Sequence, residues 1–237
     1  MQKINIKLSE KQDSPNGEVS FLTFHIKWNF EFKNGQFVML ESENLKGIKR
    51  AYSIANTNQD CQNNKKICFY VKKASENGMS DYLTQKIQIG EQIEMIWPFG
   101  FYVDKQDIKN YLFLSVWAGI AANIPIYENL IQNDKKFEKV VNIFGERNVD
   151  KIPQILFDKI SKQSKNVKNM IYLSKQDVKK DWFYNWYAQS WIDEALSFLW
   201  TKNIKVFICG KPEMVDDAVE KLVNRWVNKQ NILYEKY

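Results

Sequence analysis

The chain predicts two domains in series: an antiparallel β barrel or sandwich, then a doubly wound α/β domain built on a parallel sheet. Three observations predict this. The first hundred residues carry short alternating segments separated by clusters of Asn, Gly, Asp and Lys. From about residue 107 continuous apolar segments alternate with helical ones. The length of 237 residues, with 44% hydrophobic and 26% charged, suits one to two globular domains with a sizeable core.

Taken in order, residues 2–6 open as a strand, followed by strand segments at 21–26, 35–40, 50–55, 67–72 and 92–96. Residues 14–17 and 56–66 separate them as turn-forming clusters. One helix interrupts the series at 80–87, with Ser80 as its expected N-cap. In the second half, strands are expected at 111–116, 140–144, 169–173 and 206–209. Helices are expected at 125–132, 152–161, 191–200 and 212–226. The boundary is expected at 105/106, giving domains 1–105 and 106–237. No repeat or low-complexity linker intervenes, so the two should pack closely.

Composition excludes several function classes. The net charge of +6 comes from 34 basic residues interspersed with 28 acidic ones, without a concentrated basic stripe. That argues against nucleic acid and fits a solvated surface or an acidic partner steered to a basic face. Cys61, Cys68 and Cys209 form no CxxC pair, and the one histidine, His25, lies in an alternating strand segment. Four-ligand zinc and iron–sulfur sites therefore lack ligands, and Ser-His-Asp and Cys-His catalysis lack a base. No signal peptide precedes the first strand, so a reducing cytoplasm is expected. The longest uncharged run, 110–127, falls short of the ~20 apolar residues of a membrane span and reads as strand, turn and helix.

Two motifs in the first half carry chemistry. Arg50-Ala51-Tyr52-Ser53 offers a guanidinium fork for a pyrophosphate, an aromatic face for stacking and a hydroxyl donor. Gly78-Met79-Ser80 leads into a helix start, where backbone N–H groups face a phosphate. In this order and spacing they resemble the ferredoxin–NADP reductase superfamily over nearly the whole chain. This version has one residue fewer between glycine and serine than the commonest family form.

The resemblance implies an antiparallel Greek-key β-barrel that binds FAD, followed by an α/β doubly wound parallel-sheet NAD(P) domain. It implies that Arg50 binds the FAD pyrophosphate, Tyr52 stacks on the isoalloxazine and Ser53 bonds near the flavin atom that accepts hydride. Tyr70, Val71 and Lys72 match the strand along the ribityl and adenosine portion, and Gly78, Met79 and Ser80 the pyrophosphate turn. In the second half, Ala118-Gly119-Ile120-Ala121 resembles the dinucleotide loop, and Phe144-Gly145-Glu146-Arg147 the segment after the next strand. Cys209-Gly210-Lys211-Pro212-Glu213-Met214 resembles the motif whose cysteine lies beside the reacting nicotinamide carbon. Glu235 and Tyr237 match the family's closing residues, with Tyr237 covering the flavin.

Ser53, Cys209, Glu235 and Tyr237 are thus the expected catalytic residues. Ala118, Gly119, Arg147, Ser174, Lys175, Gly210, Pro212 and Met214 are the expected NAD(P) contacts. A hydroxyl at Ser174 with cations at Lys175 and Arg147 favours NADP over NAD, since no acidic residue stands at that strand end. The expected activity is hydride transfer from NAD(P)H to FAD, then electron transfer to a separate acidic carrier such as ferredoxin or flavodoxin. The protein is expected to be monomeric, with no metal. Two alternatives stand: an NADH-dependent reductase component of a multi-component oxidoreductase, and a non-enzymatic flavin-binding subunit with an impaired nucleotide site.

One feature departs from the family. Glycine is scarce: 9 in 237 residues, about 4% against a usual share of about 7%, while tryptophan numbers 8. Trp97, Trp117, Trp186, Trp191 and Trp226 fall on or near positions where the family has glycine. Trp supplies neither a free φ > 0 nor close backbone approach. Either the nucleotide site has diverged, or the codon UGA, read as glycine in some bacteria, has been rendered as tryptophan. Converting all eight would restore the glycine share to about 7%.

Overall fold

The computed structural model describes residues 3–45, 47–102, 108–132, 137–161, 163–178, 183–185 and 187–237; the side chain of Trp97 lies outside that description. The expected domain boundary falls within 103–107, and Trp186 stands alone between described segments; both lie outside the described residues.

The first half is an antiparallel six-stranded sheet. Its strands are β1 Lys3–Asp13, β2 Val19–His25, β3 Phe37–Glu41, β4 Lys49–Ser53, β5 Lys66–Lys72 and β6 Gln92–Phe99. Their order is β4-β3-β6-β1-β2-β5, and a bridge between Ile54 and Phe69 ties the two edges into a barrel. β2 is buried on both faces, and its alternation explains how. Leu22 and Phe24 point into the barrel core, whereas Val19 and Phe21 pack outward.

The second half is a parallel six-stranded sheet in the order β10-β9-β8-β7-β11-β12. Its strands are β7 Asn110–Val116, β8 Lys139–Glu146, β9 Val167–Leu173, β10 Phe183–Asn185, β11 Lys205–Gly210 and β12 Ile232–Lys236. The order reverses at β7, with β8 on one side and β11 on the other. The carboxyl ends of β7 and β11 therefore flank a topological switch point, where such sheets bind ligands.

Helices α3 Ile120–Gln132, α4 Gln154–Ile160, α5 Ile192–Leu199 and α6 Pro212–Asn224 cover the sheet. The domains dock through a shared apolar cluster. Val19, Phe21 and Tyr70 of the barrel pack with Ile120, Ile124 and Phe144 of the α/β half. Lys151 pairs with Glu18 at 2.5 Å across the same junction.

Several elements differ from expectation. Residues 56–66 contain a helix, α1 Asn58–Asn64, despite low-propensity asparagines. Thr57 caps it, accepting the Asp60 N–H at 3.0 Å, and Lys65 closes it at φ 53°. The next helix begins at Met79 rather than Ser80: α2 Met79–Asp81 has Gly78 at the N-cap and continues as a π-helical turn, Tyr82–Lys86. Ser80 Oγ instead accepts the Ala74 N–H at 3.1 Å. α3 starts five residues before Pro125, the first residue of the expected helix. Strand β10 went unread because it is three residues long.

The tryptophans separate into two kinds. Three stand in the left-handed region: Trp117 at φ 52°, Trp200 at φ 56° and Trp226 at φ 66°. Trp226 does not belong to the last helix, as expected, but to its stop. Its N–H donates to Val223 O at 2.9 Å and that of Val227 to Leu222 O at 3.1 Å, the Schellman pattern whose left-handed residue is usually glycine. Trp200 ends α5 by the simpler αL motif, a single bond from its N–H to Leu196 O, again at a position usually held by glycine. Trp191, by contrast, sits at φ −108°, stacks on Tyr172 at 5.5 Å and packs tilted against Tyr184 at 5.6 Å. Trp97 lies within β6. Neither backbone calls for glycine.

Candidate functional site

A cavity of about 610 Å³ opens between the barrel and the ends of β7, β11 and β12. All nine residues expected to hold FAD line it: Arg50, Tyr52 and Ser53 from β4, Tyr70, Val71 and Lys72 from β5, and Gly78, Met79 and Ser80 from the turn into α2. They converge because β4 and β5 are the two edges that the Ile54–Phe69 bridge brings together. Cys209, Glu235 and Tyr237 line the same cavity from the second domain. Parallel pairing puts Cys209 between Glu235 of β12 on one side and Ser115, near the end of β7, on the other.

The polar groups of this cavity are poorly satisfied by the protein itself. The buried Tyr70 hydroxyl has no hydrogen-bond partner among the described residues, and burial holds its pKa well above the usual tyrosine value. The Arg50 guanidinium donates to the Lys49 carbonyl at 2.8 Å and, among the described residues, has no carboxylate partner. Burial keeps the Cys209 thiol protonated and pushes the Glu235 carboxyl up to about 6. A pocket of this size, with an unpartnered hydroxyl, a guanidinium lacking a carboxylate partner among the described residues and backbone at Gly78, fits an aromatic dinucleotide with a pyrophosphate. FAD is such a molecule.

Tyr237 crosses from β12 to the loop after β7. Its hydroxyl donates to Val116 O at 2.5 Å and accepts the Gly119 N–H at 3.0 Å. Gly119 must be glycine here, because a Cβ would lie 2.2 Å from the Cys209 carbonyl oxygen. The loop thus packs directly on the turn after β11.

A second cavity, about 330 Å³, lies on the other side of that loop. Arg147, Ser174, Lys175 and Met214 line it, as expected for dinucleotide contacts. Ala118 and Gly119 do not; they face the first cavity, because the loop turns there to meet Tyr237. Gly210 and Pro212 line neither. Gly210 accepts the Tyr237 N–H through its carbonyl at 3.2 Å, and Pro212 is the first residue of α6.

The Trp117 side chain lines the second cavity with Lys211, Arg147 and Glu146. Glu146 is fully buried, with both carboxylate oxygens 3.3 Å from Lys72 Nζ and one accepting the Arg147 N–H at 2.8 Å. Burial pushes the carboxyl up and the ammonium down, and each charge opposes the other's shift.

Sequence reading missed Phe37 and Lys236 in the first cavity, and Glu146, Tyr187, Gln189 and Lys211 in the second. Glu146 and Lys211 lie inside motifs already recognised, so their spacing was a usable signal. Phe37 carried none, since it reaches the site only through its pairing with Ser53.

No protein-family model matches the chain. A phenol hydroxylase P5 protein of Acinetobacter pittii is 22% identical over 213 residues, covering 87% of this chain and 58% of that protein. The chain spans about three fifths of the curated relatives it matches. Among solved structures, the ferredoxin reductase in carbazole 1,9a-dioxygenase superposes with a TM-score of 0.84 at 20% identity, covering 99% of this chain and 69% of that one. A ferredoxin NADP+ reductase from Neisseria gonorrhoeae, solved with FAD and NADP bound, gives a TM-score of 0.82 at 20% identity, covering 100% and 99%. The fold is therefore that of ferredoxin–NADP reductases, a barrel followed by a parallel α/β domain.

Proposed function

We propose that this chain, with a flavoprotein-reductase fold, is an FAD-dependent NAD(P)H oxidoreductase that delivers electrons to a separate carrier. One observation carries the reading: the nine residues expected to hold FAD share a single cavity with Cys209, Glu235 and Tyr237 of the second domain. When bound, FAD accepts hydride from the nicotinamide and releases electrons singly, which no side chain here can do.

The residues divide the remaining work. Arg50, whose guanidinium has no carboxylate partner among the described residues, would meet the pyrophosphate, and Tyr52 would present its ring to the flavin. The Ser53 hydroxyl, which lines the same cavity, would donate a hydrogen bond to the bound flavin. Cys209, uncharged at its buried position, gives the nicotinamide a neutral surface on which to rest. Glu235, its carboxyl pushed up to about 6 by burial, would take up and release a proton close to the reacting edge. Tyr237 covers the cavity, held by Val116 and Gly119, and moves aside for the nicotinamide.

NADP is the preferred co-substrate, on the strength of Ser174, Lys175 and Arg147 around the second cavity. The acceptor is an acidic electron carrier, ferredoxin or flavodoxin, drawn to a chain of net charge +6. The relatives' names, a reductase component of a monooxygenase and an electron transfer component of a dioxygenase, support a separate electron acceptor. We place the protein in the cytoplasm as a monomer; its three cysteines are free and buried. No helix among the described residues is long and apolar enough to cross a membrane. The domains divide at 105/106.

The same reading holds that the native protein carries glycine at position 117. The chain as written, with an indole lining the nucleotide cavity, fits the alternative of a flavin-binding subunit with an impaired nucleotide site. Left-handed backbone at Trp117, Trp200 and Trp226 favours UGA read as glycine. Reading the gene decides it, and TGG codons at these three positions would overturn it. Flavin reduction by NADPH in the absence of oxygen tests the activity, and comparison with NADH tests the preference.

A further inference from the structure

A third cavity, about 570 Å³, shares no lining residue with the two already described. It lies where the barrel half meets α3. The turn 32–34 and α1 form one wall, and Ile126 and Leu130 of α3 form the other. Phe32, Ile126 and Leu130 are buried and give it an apolar floor. No Asp or Glu lines it.

The polar wall consists of carboxamides whose oxygens are already engaged. Asn34 Oδ1 accepts the Asn58 N–H at 2.9 Å, and Asn58 Oδ1 accepts the Phe32 N–H at 3.3 Å. Because a backbone N–H only donates, these bonds fix which end of each amide is oxygen. Both amino groups are thereby left over, and among the described residues neither has a partner. Lys33 stands exposed beside them and, among the described residues, pairs with no carboxylate. The same two bonds brace the turn against α1, so the donors are held in place before any ligand arrives. Asn58 and Asn63, residues that weaken α1 as a helix, are among those that build this wall.

We infer that this cavity binds a small organic monocarboxylate, with its head group on Lys33, Asn34 and Asn58 and its apolar body on Phe32, Ile126 and Leu130. Two amide donors and an ammonium suit an anion that only accepts. One ammonium balances the single charge of a carboxylate, whereas a phosphate monoester brings about two. The volume suits a ligand of modest size. Such an occupant bridges the two halves of the molecule, since its head-group residues belong to the barrel half and Ile126 and Leu130 to α3. The inference does not rest on the function proposed above.

The test titrates the full chain, loaded with FAD to fill the first cavity, with octanoate, 1-octanol and octyl phosphate in separate calorimetric runs. A chain that takes up no flavin is titrated as it is, so failure of the proposed function leaves the result readable. Octanoate is expected to bind at one site, more tightly than octanol, and to weaken with added salt. Asn58→Asp keeps an acceptor for the Phe32 N–H and puts an acidic residue in the first turn of α1, which suits a helix. Its thermal midpoint without ligand should therefore hold, while octanoate affinity falls about tenfold or more. Lys33→Gln should weaken octanoate about fivefold, and neither variant should change octanol binding. Octyl phosphate should bind no tighter than octanoate. Absence of saturable octanoate binding, or unchanged octanoate affinity in either variant, would overturn the inference. Octanol binding as tightly as octanoate would also overturn it, leaving only an apolar floor, and octyl phosphate binding about tenfold tighter would overturn the carboxylate assignment.

Discussion

Replacing Trp200 and Trp226 by glycine should stabilise the protein, and the size of the gain follows from the backbone. Both residues stop a helix at φ 56° and 66°, a conformation in which a Cβ crowds the following carbonyl. A residue with a side chain held at φ > 0 loses about 1 kcal/mol relative to glycine, after the unfolded-state entropy of glycine is counted. The indoles offset little of this, since Trp200 is 87% exposed and Trp226 79%. Each change should therefore gain about 1 kcal/mol, and the pair about 2, raising the thermal midpoint by about 4–8 °C for a chain of this size. The assay is thermal and urea unfolding at equal flavin loading. Trp200→Ala and Trp226→Ala are the decisive controls, because alanine removes the indole but keeps the Cβ, and should gain almost nothing. Trp28, 66% exposed and outside the left-handed region, should lose about 0.5–1 kcal/mol on Trp28→Gly. Alanine and glycine behaving alike at 200 and 226, or glycine lowering the midpoints, would refute the reasoning.

Three further outcomes follow from the site. Lys72→Met leaves a fully buried carboxylate without its cation and should cost about 3 kcal/mol, whereas Lys72→Met with Glu146→Gln should cost clearly less; urea midpoints of the single and paired variants check this. Glu235 has its folded pKa raised from 4.5 to about 6, so the folded state binds the extra proton and stability falls as pH rises between those values. Glu235→Gln should remove that fall from a stability profile taken across pH 4 to about 7. Tyr237→Phe forfeits the hydroxyl bonds to Val116 and Gly119 and, in Trp117→Gly protein, should tighten NADP+ about fivefold without changing FAD retention, as read by calorimetry and by flavin release on filtration.

Much of the fold was legible because its signals are local. Alternation marked the barrel strands, and the apolar runs at 111–116 and 206–209 marked β7 and β11. The residues expected to hold flavin stand in contiguous motifs visible in the sequence, and only their meeting in one cavity required the fold. What escaped depends on tertiary context. α1 hides in an asparagine-rich stretch because its helix rests on one cap rather than on propensity. Ala118 and Gly119 belong to the first cavity because Tyr237 draws the loop toward it, a contact between residues 118 positions apart. Lys72 lines the first cavity yet pairs with Glu146 and lies over the Trp117 ring, contacts that a strand-by-strand reading does not reveal. The tryptophans were half legible: motif position singled out Trp117 and Trp226, but Trp200 lies outside any motif and is known only by its φ. Trp191 was singled out by position, yet its backbone is ordinary and its indole packs against two tyrosines.

The central claim is that nicotinamide dinucleotide reduces a flavin held between these two domains, once the loop after β7 is free of the indole. The direct measurement is the absorbance of FAD-loaded Trp117→Gly protein mixed with NADPH in the absence of oxygen, beside the chain carrying Trp117. Rapid bleaching of the flavin band is expected in the glycine protein, and slow or no bleaching in the other. A flavin that stays oxidised in the glycine protein with both NADPH and NADH would contradict it.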